Sequence, residues 1–156
     1  MNISIRRFHE KDITEEYLAW LNDKDYMRFS RQAKFEHSKI SCIRYLESFD
    51  FKANFFFSIY INNILVATAT AFFESLSNTH DLGFLVGKEF AGKGFGKGIW
   101  NHYVDVYLPS IQIVRLTGGT NRLNVPMIKL FTGSGFKEVP SDTQTSPGNI
   151  FYERLQ

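Results

Sequence analysis

Between Ala91 and Gly98 glycine stands at every second position, Gly92, Gly94, Gly96 and Gly98, with Lys93, Phe95 and Lys97 between. Glycine lets a main chain approach a ligand closely, and free N–H groups at the start of a following helix meet an anion with a favourable dipole. The two lysines add positive charge. A segment of this kind suits a phosphate or pyrophosphate. Spacing excludes two familiar phosphate loops. GxxxxGK[ST] fails because Ala91 falls at its first glycine and Gly98 at its Ser/Thr. GxGxxG fails because no glycine here has that spacing. A flexible turn with incidental glycines is the plain alternative.

The elements around the turn follow from periodicity. Asn2–Phe8 alternates as a strand, with Ile3 and Ile5 on one face. Asp12 or Thr14 can cap a helix carrying Tyr17, Leu18 and Leu21, interrupted at Asn22-Asp23. A second helix is expected from His37 to Phe49, with Ile40, Ile43, Tyr45 and Leu46 facing inward. Asn54–Ile61 and Ile64–Phe73 read as strands, and Asn62-Asn63 between them as a tight hairpin turn, since Asn tolerates positive φ. Asp81–Val86 is a third strand. After the glycine turn an amphipathic helix over Ile99–Leu108 is stopped by Pro109. Ile111–Thr117 is read as a strand, Asn124–Ser134 as a helix with Gly135 as its cap, and Asn149–Leu155 as a last strand. The order is α/β (α+β): one domain over residues 1–156, a mixed central sheet and a parallel βαβ core flanked by helices.

Bulk properties narrow the function. A chain of 156 residues that is 44% hydrophobic and 22% charged reads as one ordinary globular domain. A net charge of +2 is too mild to argue for nucleic acid and fits a small anionic ligand. Cys42, the only cysteine, excludes an internal disulfide and a CxxC site and suits a reducing cytoplasm. No apolar run approaches the ~20 residues of a membrane span, and MNISIRRFHEKD lacks the apolar core of a signal peptide. HExxH, CxxH and carboxylate clusters are missing, so no metal is expected.

Two segments together carry a family resemblance. Leu85-Val86, a short spacer and Gly92-Lys93-Gly94-Phe95-Gly96 resemble the coenzyme A-binding motif of the GNAT N-acetyltransferases. Asn124 through Gly135-Phe136 resembles the family's second motif, an Asn opening a helix that ends in Gly-Phe. Asp81–Gly87 with the glycine turn resembles the branch holding ribosomal-protein N-terminal and amino-sugar acetyltransferases, and Trp20-Leu21-Asn22-Asp23 is similar to a segment met in the latter.

The resemblance implies acetyl-coenzyme A as co-substrate and direct transfer of the acetyl group to a primary amine in a ternary complex. It implies that the main chain of Gly92, Lys93, Gly94, Phe95, Gly96 and Lys97 holds the pyrophosphate. Phe84, Leu85 and Val86 would pair with the pantetheine arm, with the Phe84 N–H at the thioester oxygen, and Asn124 would bond the arm from the other side. The sequence departs from the pattern at Ala91, where Gln or Arg is usual. It departs again at Phe131, where many members carry a Tyr that protonates the departing thiolate. Met127 stands at the other family hydroxyl position, which leaves Ser134, water or an unprotonated thiolate. Phe131 remains a cofactor contact by position, and a Tyr there is expected to be tolerated.

A base must take the amine proton. His80 and Asp81 are the candidates; successive strand residues face opposite ways, so only one meets the acceptor. His80 shares parity with Phe84 and is slightly preferred; Glu74 or water is the remaining choice. An amino-sugar nucleotide of surface-polysaccharide synthesis is the leading acceptor class. Alternatives are a protein N-terminus and a non-catalytic acyl-coenzyme A-binding module. Arg6, Arg7, His9, Arg28, Arg31 and His37 can meet a sugar diphosphate or be solvated charge. A homodimer is a further expectation; neither nucleic acid nor membrane is.

Overall fold

The computed structural model describes residues 2–140 and 147–156. Its seven strands form one sheet: β1 Ile3–Arg7, β2 Phe55–Ile61, β3 Ile64–Glu74, β4 Thr79–Val86, β5 Leu116–Asn121, β6 Lys137–Val139 and β7 Asn149–Arg154. Their spatial order is β1-β2-β3-β4-β5-β7-β6. Of these strands only β4 and β5 run parallel, joined through the helical residues 95–110. This is the mixed sheet with a βαβ unit expected from the sequence. Asn62 and Asn63 turn the β2–β3 hairpin with φ of 50° and 65°.

Helices α1 Glu15–Asn22 and α2 Lys39–Glu47 cover one face of the sheet. Thr14 caps α1 by accepting the Tyr17 N–H at 3.1 Å. Ser38 and Ser41 cap α2 reciprocally. The inward side of α2 is set by buried Cys42 and by Ile43 and Leu46, with Phe49 just beyond its end. Ile40, expected inside, is 64% exposed. It lies roughly 200° round the helix from Cys42 at 100° per residue.

The other face is covered by α3 Phe95–His102 and α5 Val125–Gly133, which bury Trp100 and Phe131, with Tyr103 just past α3, against Ile59, Ala69 and Leu82. Beyond His102 the chain continues through a π-turn, Tyr103–Tyr107, into a last turn, α4 Leu108–Ser110. Pro109 therefore sits inside the final turn and does not stop the helix before it. The π-turn explains this: the Leu108 N–H reaches back to the Tyr103 carbonyl, so the ladder is already displaced where proline lacks its donor.

The strand expected at Ile111–Thr117 begins only at Leu116 and extends through Gly118 and Gly119. Gln112 turns with φ of 66° ahead of it. The two glycines look like a turn in sequence, but packing requires them. A Cβ on Gly118 would stand 2.5 Å from the Phe131 ring, and one on Gly119 would stand 2.8 Å from Phe151.

Candidate active site at the β4–β5 gap

β4 and β5 pair at only two rungs, His80↔Leu116 and Asp81↔Thr117; beyond them β5 continues against β7 alone. The His80 N–H crosses to the Arg115 carbonyl on the β5 side. Main-chain direction alternates along a strand, and β4 stays in register with β3 to its end. The N–H groups of Phe84 and Val86 therefore point toward β5 where β5 has left. The Leu85 N–H turns the other way, to β3. Ladder donors facing a gap need a partner from outside the sheet.

At the wide end of this gap the chain turns over Ala91–Gly94 into α3. Gly92 and Gly94 have φ of 74° and 83°, and a Cβ on either would meet nothing within 4 Å. These glycines answer to backbone conformation and open space, whereas Gly118 answers to packing. Gly94 is the N-cap of α3 and supplies no side-chain cap, so the first amides of the helix, from Phe95, Gly96 and Lys97, stay available. Exposed Lys93 and Lys97 flank them. Phe95 is half-buried with its ring edge-on to Phe90. An uncapped helix start with two lysines, continuous with a strand edge of free amides, has the chemistry to hold a pyrophosphate joined to an amide-bearing arm.

Asn124 caps α5: its Oδ1 accepts from Met127 N–H at 3.3 Å and its Nδ2 donates to Thr120 Oγ1 at 3.0 Å. It thus ties α5 to the end of β5, with one Nδ2 hydrogen left over. Phe131 does not face the gap. It is 1% exposed, stacked on Tyr152 at 4.8 Å and edge-on to Trp100 and Phe136. The cofactor contact that the resemblance implied for this side chain is closed off by core packing. Ser134 is also committed, donating to the Leu130 carbonyl at 2.6 Å and accepting from Trp100 Nε1 at 2.9 Å.

The two candidate bases face opposite sides. His80 and Phe84 share the α3 face. The His80 Nε2 lies 3.0 Å from the Ala53 carbonyl, and the ring rests against Phe55 and Phe73. A carbonyl only accepts, so Nε2 carries the proton in that bond. Burial lowers the His80 pKa, with the Ala53 bond acting against it. This histidine is built into the packing at the foot of β2.

Asp81 projects from the other face at the last paired rung. Its Oδ1 accepts from the Thr117 hydroxyl at 2.9 Å. Desolvation raises its pKa above the ordinary carboxylate value; the Thr117 bond and the positive charge of Arg31 pull it back. Beside it Gly83 leaves a notch, where a Cβ would stand 2.4 Å from Thr70 Oγ1. The half-exposed ring of Phe72 lies directly across the ladder.

A further participant is not visible in the sequence. The Tyr26 hydroxyl donates to the Val86 carbonyl at 2.5 Å, on the gap side of β4. Burial raises its pKa, aided by Glu89 and Asp23, so the phenol keeps its proton. The loop that carries it is fastened to the end of β4. Trp20 Nε1 donates to Glu89 at 2.6 Å, Lys88 pairs with Asp23, and the Trp20 ring covers Gly87, where a Cβ would be 2.2 Å away. Trp20 and Asp23 are thus structural fasteners.

Comparison with known proteins agrees with this fold. No curated relative matches the sequence. Among solved structures the chain is similar to RimL, a ribosomal-protein alpha-N-acetyltransferase in complex with coenzyme A, at 13% identity and a TM-score of 0.83, covering 98% of this chain and 93% of that one. An acetyltransferase (GNAT family) from Bacillus anthracis superposes with a TM-score of 0.79 at 17% identity, covering 99% and 95%. An aminoglycoside acetyltransferase in complex with coenzyme A and kanamycin gives 0.78 at 15%, covering 99% and 95%. At these identities the likeness shows the fold. Residues 12–136 match the acetyltransferase (GNAT) family. The chain belongs to that family, as an N-acetyltransferase that moves an acetyl group from acetyl-coenzyme A to an amine.

Proposed function

We propose that transfer takes place in the β4–β5 gap, with Asp81 as general base and the Phe84 N–H as donor to the developing oxyanion. The observation that carries this is the Asp81 carboxylate, held by Thr117 at the rung where the strands part. Acetyl-coenzyme A fits the chain's free groups: the α3 amides with Lys93 and Lys97 would hold its pyrophosphate, and the Phe84–Val86 edge its arm. It supplies the activated acyl group. Asp81 accepts the amine proton on the open face, and its raised pKa brings it nearer the operating range of a base. A fixed N–H aimed at the forming charge needs no reorganisation, so Phe84 contributes by preorganisation. The geometry thus favours Asp81 over His80, whose ring is taken up on the opposite face.

The acceptor in this reading is a small primary amine, with the amino-sugar nucleotide as its leading class. The half-exposed Phe72 ring beside Asp81 supports it, since an aromatic face suits the apolar face of a sugar. A protein N-terminus is the second reading, favoured by the fold shared with RimL. Thiol release with matched panels separates them. Turnover of an amino-sugar nucleotide with N-terminal peptides inert supports the first; the reverse pattern contradicts it.

A further inference from the structure

Three parts of the molecule meet at Val86. Its side chain reaches the first turn of α3, where a Cβ on Gly96 would lie 3.8 Å from Val86 Cγ2. Its main chain stands opposite Ala67 of β3, and the next amide, Gly87 N–H, bonds the Val66 carbonyl at 2.7 Å. The N–H and C=O of Val86 itself therefore point the other way, into the gap. From the side opposite α3 comes Tyr26, packed against the core beneath α1 and α2, with its own N–H held by Asp23 Oδ1 at 2.9 Å. The Tyr26 hydroxyl donates to the Val86 carbonyl at 2.5 Å.

The direction of that bond decides what Tyr26 can offer. A carbonyl only accepts, so the phenol has committed its one O–H to Val86. Burial, with Glu89 and Asp23 nearby, raises the Tyr26 pKa and keeps that proton in place. The phenol oxygen is left with acceptor capacity, and among the described residues no donor uses it. The Val86 N–H next to it is a donor that β5 does not meet, since β4 and β5 part after Asp81. A donor and an acceptor set together on a strand edge are complementary to amides, which carry one of each. A bare edge would present the Val86 carbonyl as that acceptor. Here the phenol stands on the carbonyl and presents its own oxygen beside it.

We propose that Tyr26 is a positioning residue for the cofactor's arm: its hydroxyl oxygen accepts an amide N–H of the arm, while the Val86 N–H donates to an arm carbonyl. This rests on the reading that the arm lies along Phe84–Val86. It gives the loop between α1 and α2 a direct part in holding acetyl-coenzyme A, through a side chain.

The test is calorimetric binding of three ligands to the wild type and to Tyr26→Phe. They are coenzyme A, adenosine 3′,5′-bisphosphate, which has no arm, and a coenzyme A analogue whose arm amides are esters and so lack the N–H. The wild type should bind coenzyme A about three- to tenfold more tightly than the ester analogue, the span of one net hydrogen bond. Tyr26→Phe should abolish that difference by weakening coenzyme A alone, and the acetyl-coenzyme A KM should rise by the same factor at constant kcat. Equal affinity of the wild type for coenzyme A and the ester analogue overturns the proposal, whatever the variant does. Weakening of coenzyme A and the analogue alike in Tyr26→Phe also overturns it, and makes Tyr26 a fastener of its loop only. Unchanged coenzyme A affinity in the variant overturns the role of Tyr26 but leaves the arm on β4, provided the wild type prefers coenzyme A to the bisphosphate. Without that preference the reading of the Phe84–Val86 edge fails, and the proposal with it.

Discussion

The Thr117 hydroxyl donates to Asp81 Oδ1 at 2.9 Å across the last rung that joins β4 to β5. One bond thus fixes the carboxylate and marks the point at which the sheet opens. A carboxylate held on one oxygen leaves the second free to accept a proton.

Asp81 is exposed, yet the protein around its carboxylate still raises its pKa, so its charge weighs on the fold only slightly. The folded-state pKa of Asp81 is raised, so its protonated form is favoured by folding and the associated stability is lost as pH rises through that pKa. Asp81→Asn keeps the Thr117 bond without the charge. Its Tm at pH 7.5 should equal or exceed that of the wild type, and the difference should shrink as pH falls through the folded pKa and vanish only below about pH 3, under the unfolded-state value. A lower Tm at neutral pH would show that Asp81 is structural.

Gly118→Ala should destabilise the protein by about 1–3 kcal/mol, because its methyl overlaps the buried Phe131 ring. Phe131→Tyr should cost a similar amount, since Phe131 Cζ itself lies 2.5 Å from that Gly118 Cβ position and a hydroxyl added there is driven onto β5. Urea denaturation checks both. Unchanged midpoints would reopen Phe131 as a residue of the gap, as its position in the family motif implies.

Gly96→Ala separates cofactor contact from backbone strain. Its methyl would meet Val86 Cγ2 at an ordinary 3.8 Å, and Gly96 lacks the positive φ of Gly92 and Gly94. The variant should fold with unchanged or higher Tm, yet bind acetyl-coenzyme A at least tenfold more weakly in calorimetry, because the methyl enters the mouth of the gap. Undiminished affinity would move the arm away from Val86.

Local signals made much of this fold legible. Alternation gave β1 to β4, the Asn pair gave the hairpin, Thr14 was among the expected caps and Gly135 takes the expected φ of 85° at the end of α5. Strand parity correctly placed His80 with Phe84 and opposite Asp81. It could not favour the Asp81 side over the His80 side as the one we propose for the acceptor, because that depends on which face α3 and α5 bury. Gly118-Gly119 concealed β5 for a similar reason: the rings that require those glycines come from Phe131 and Phe151, far along the chain. Tyr26 lies 60 residues from Val86, and no motif joins them. Ile40 is turned to solvent because α2 takes the phase that buries Cys42 and packs Ile43 and Leu46, which its apolar spacing alone does not distinguish. The short strand β6 carried no alternation long enough to read.

The measurement that bears most directly on Asp81 as base is the pH dependence of kcat/KM for the wild type, Asp81→Asn and His80→Gln. The wild-type profile should rise with pH through a first inflection above the ordinary carboxylate value of about 3.9, then through a second set by the acceptor amine. Asp81→Asn should lose the first inflection and about 10²–10⁴-fold in rate. His80→Gln should keep both inflections and stay within about tenfold, one step of 1.4 kcal/mol in barrier. A crippled His80→Gln beside a near-normal Asp81→Asn would contradict the account and return the proton to the opposite face of the sheet.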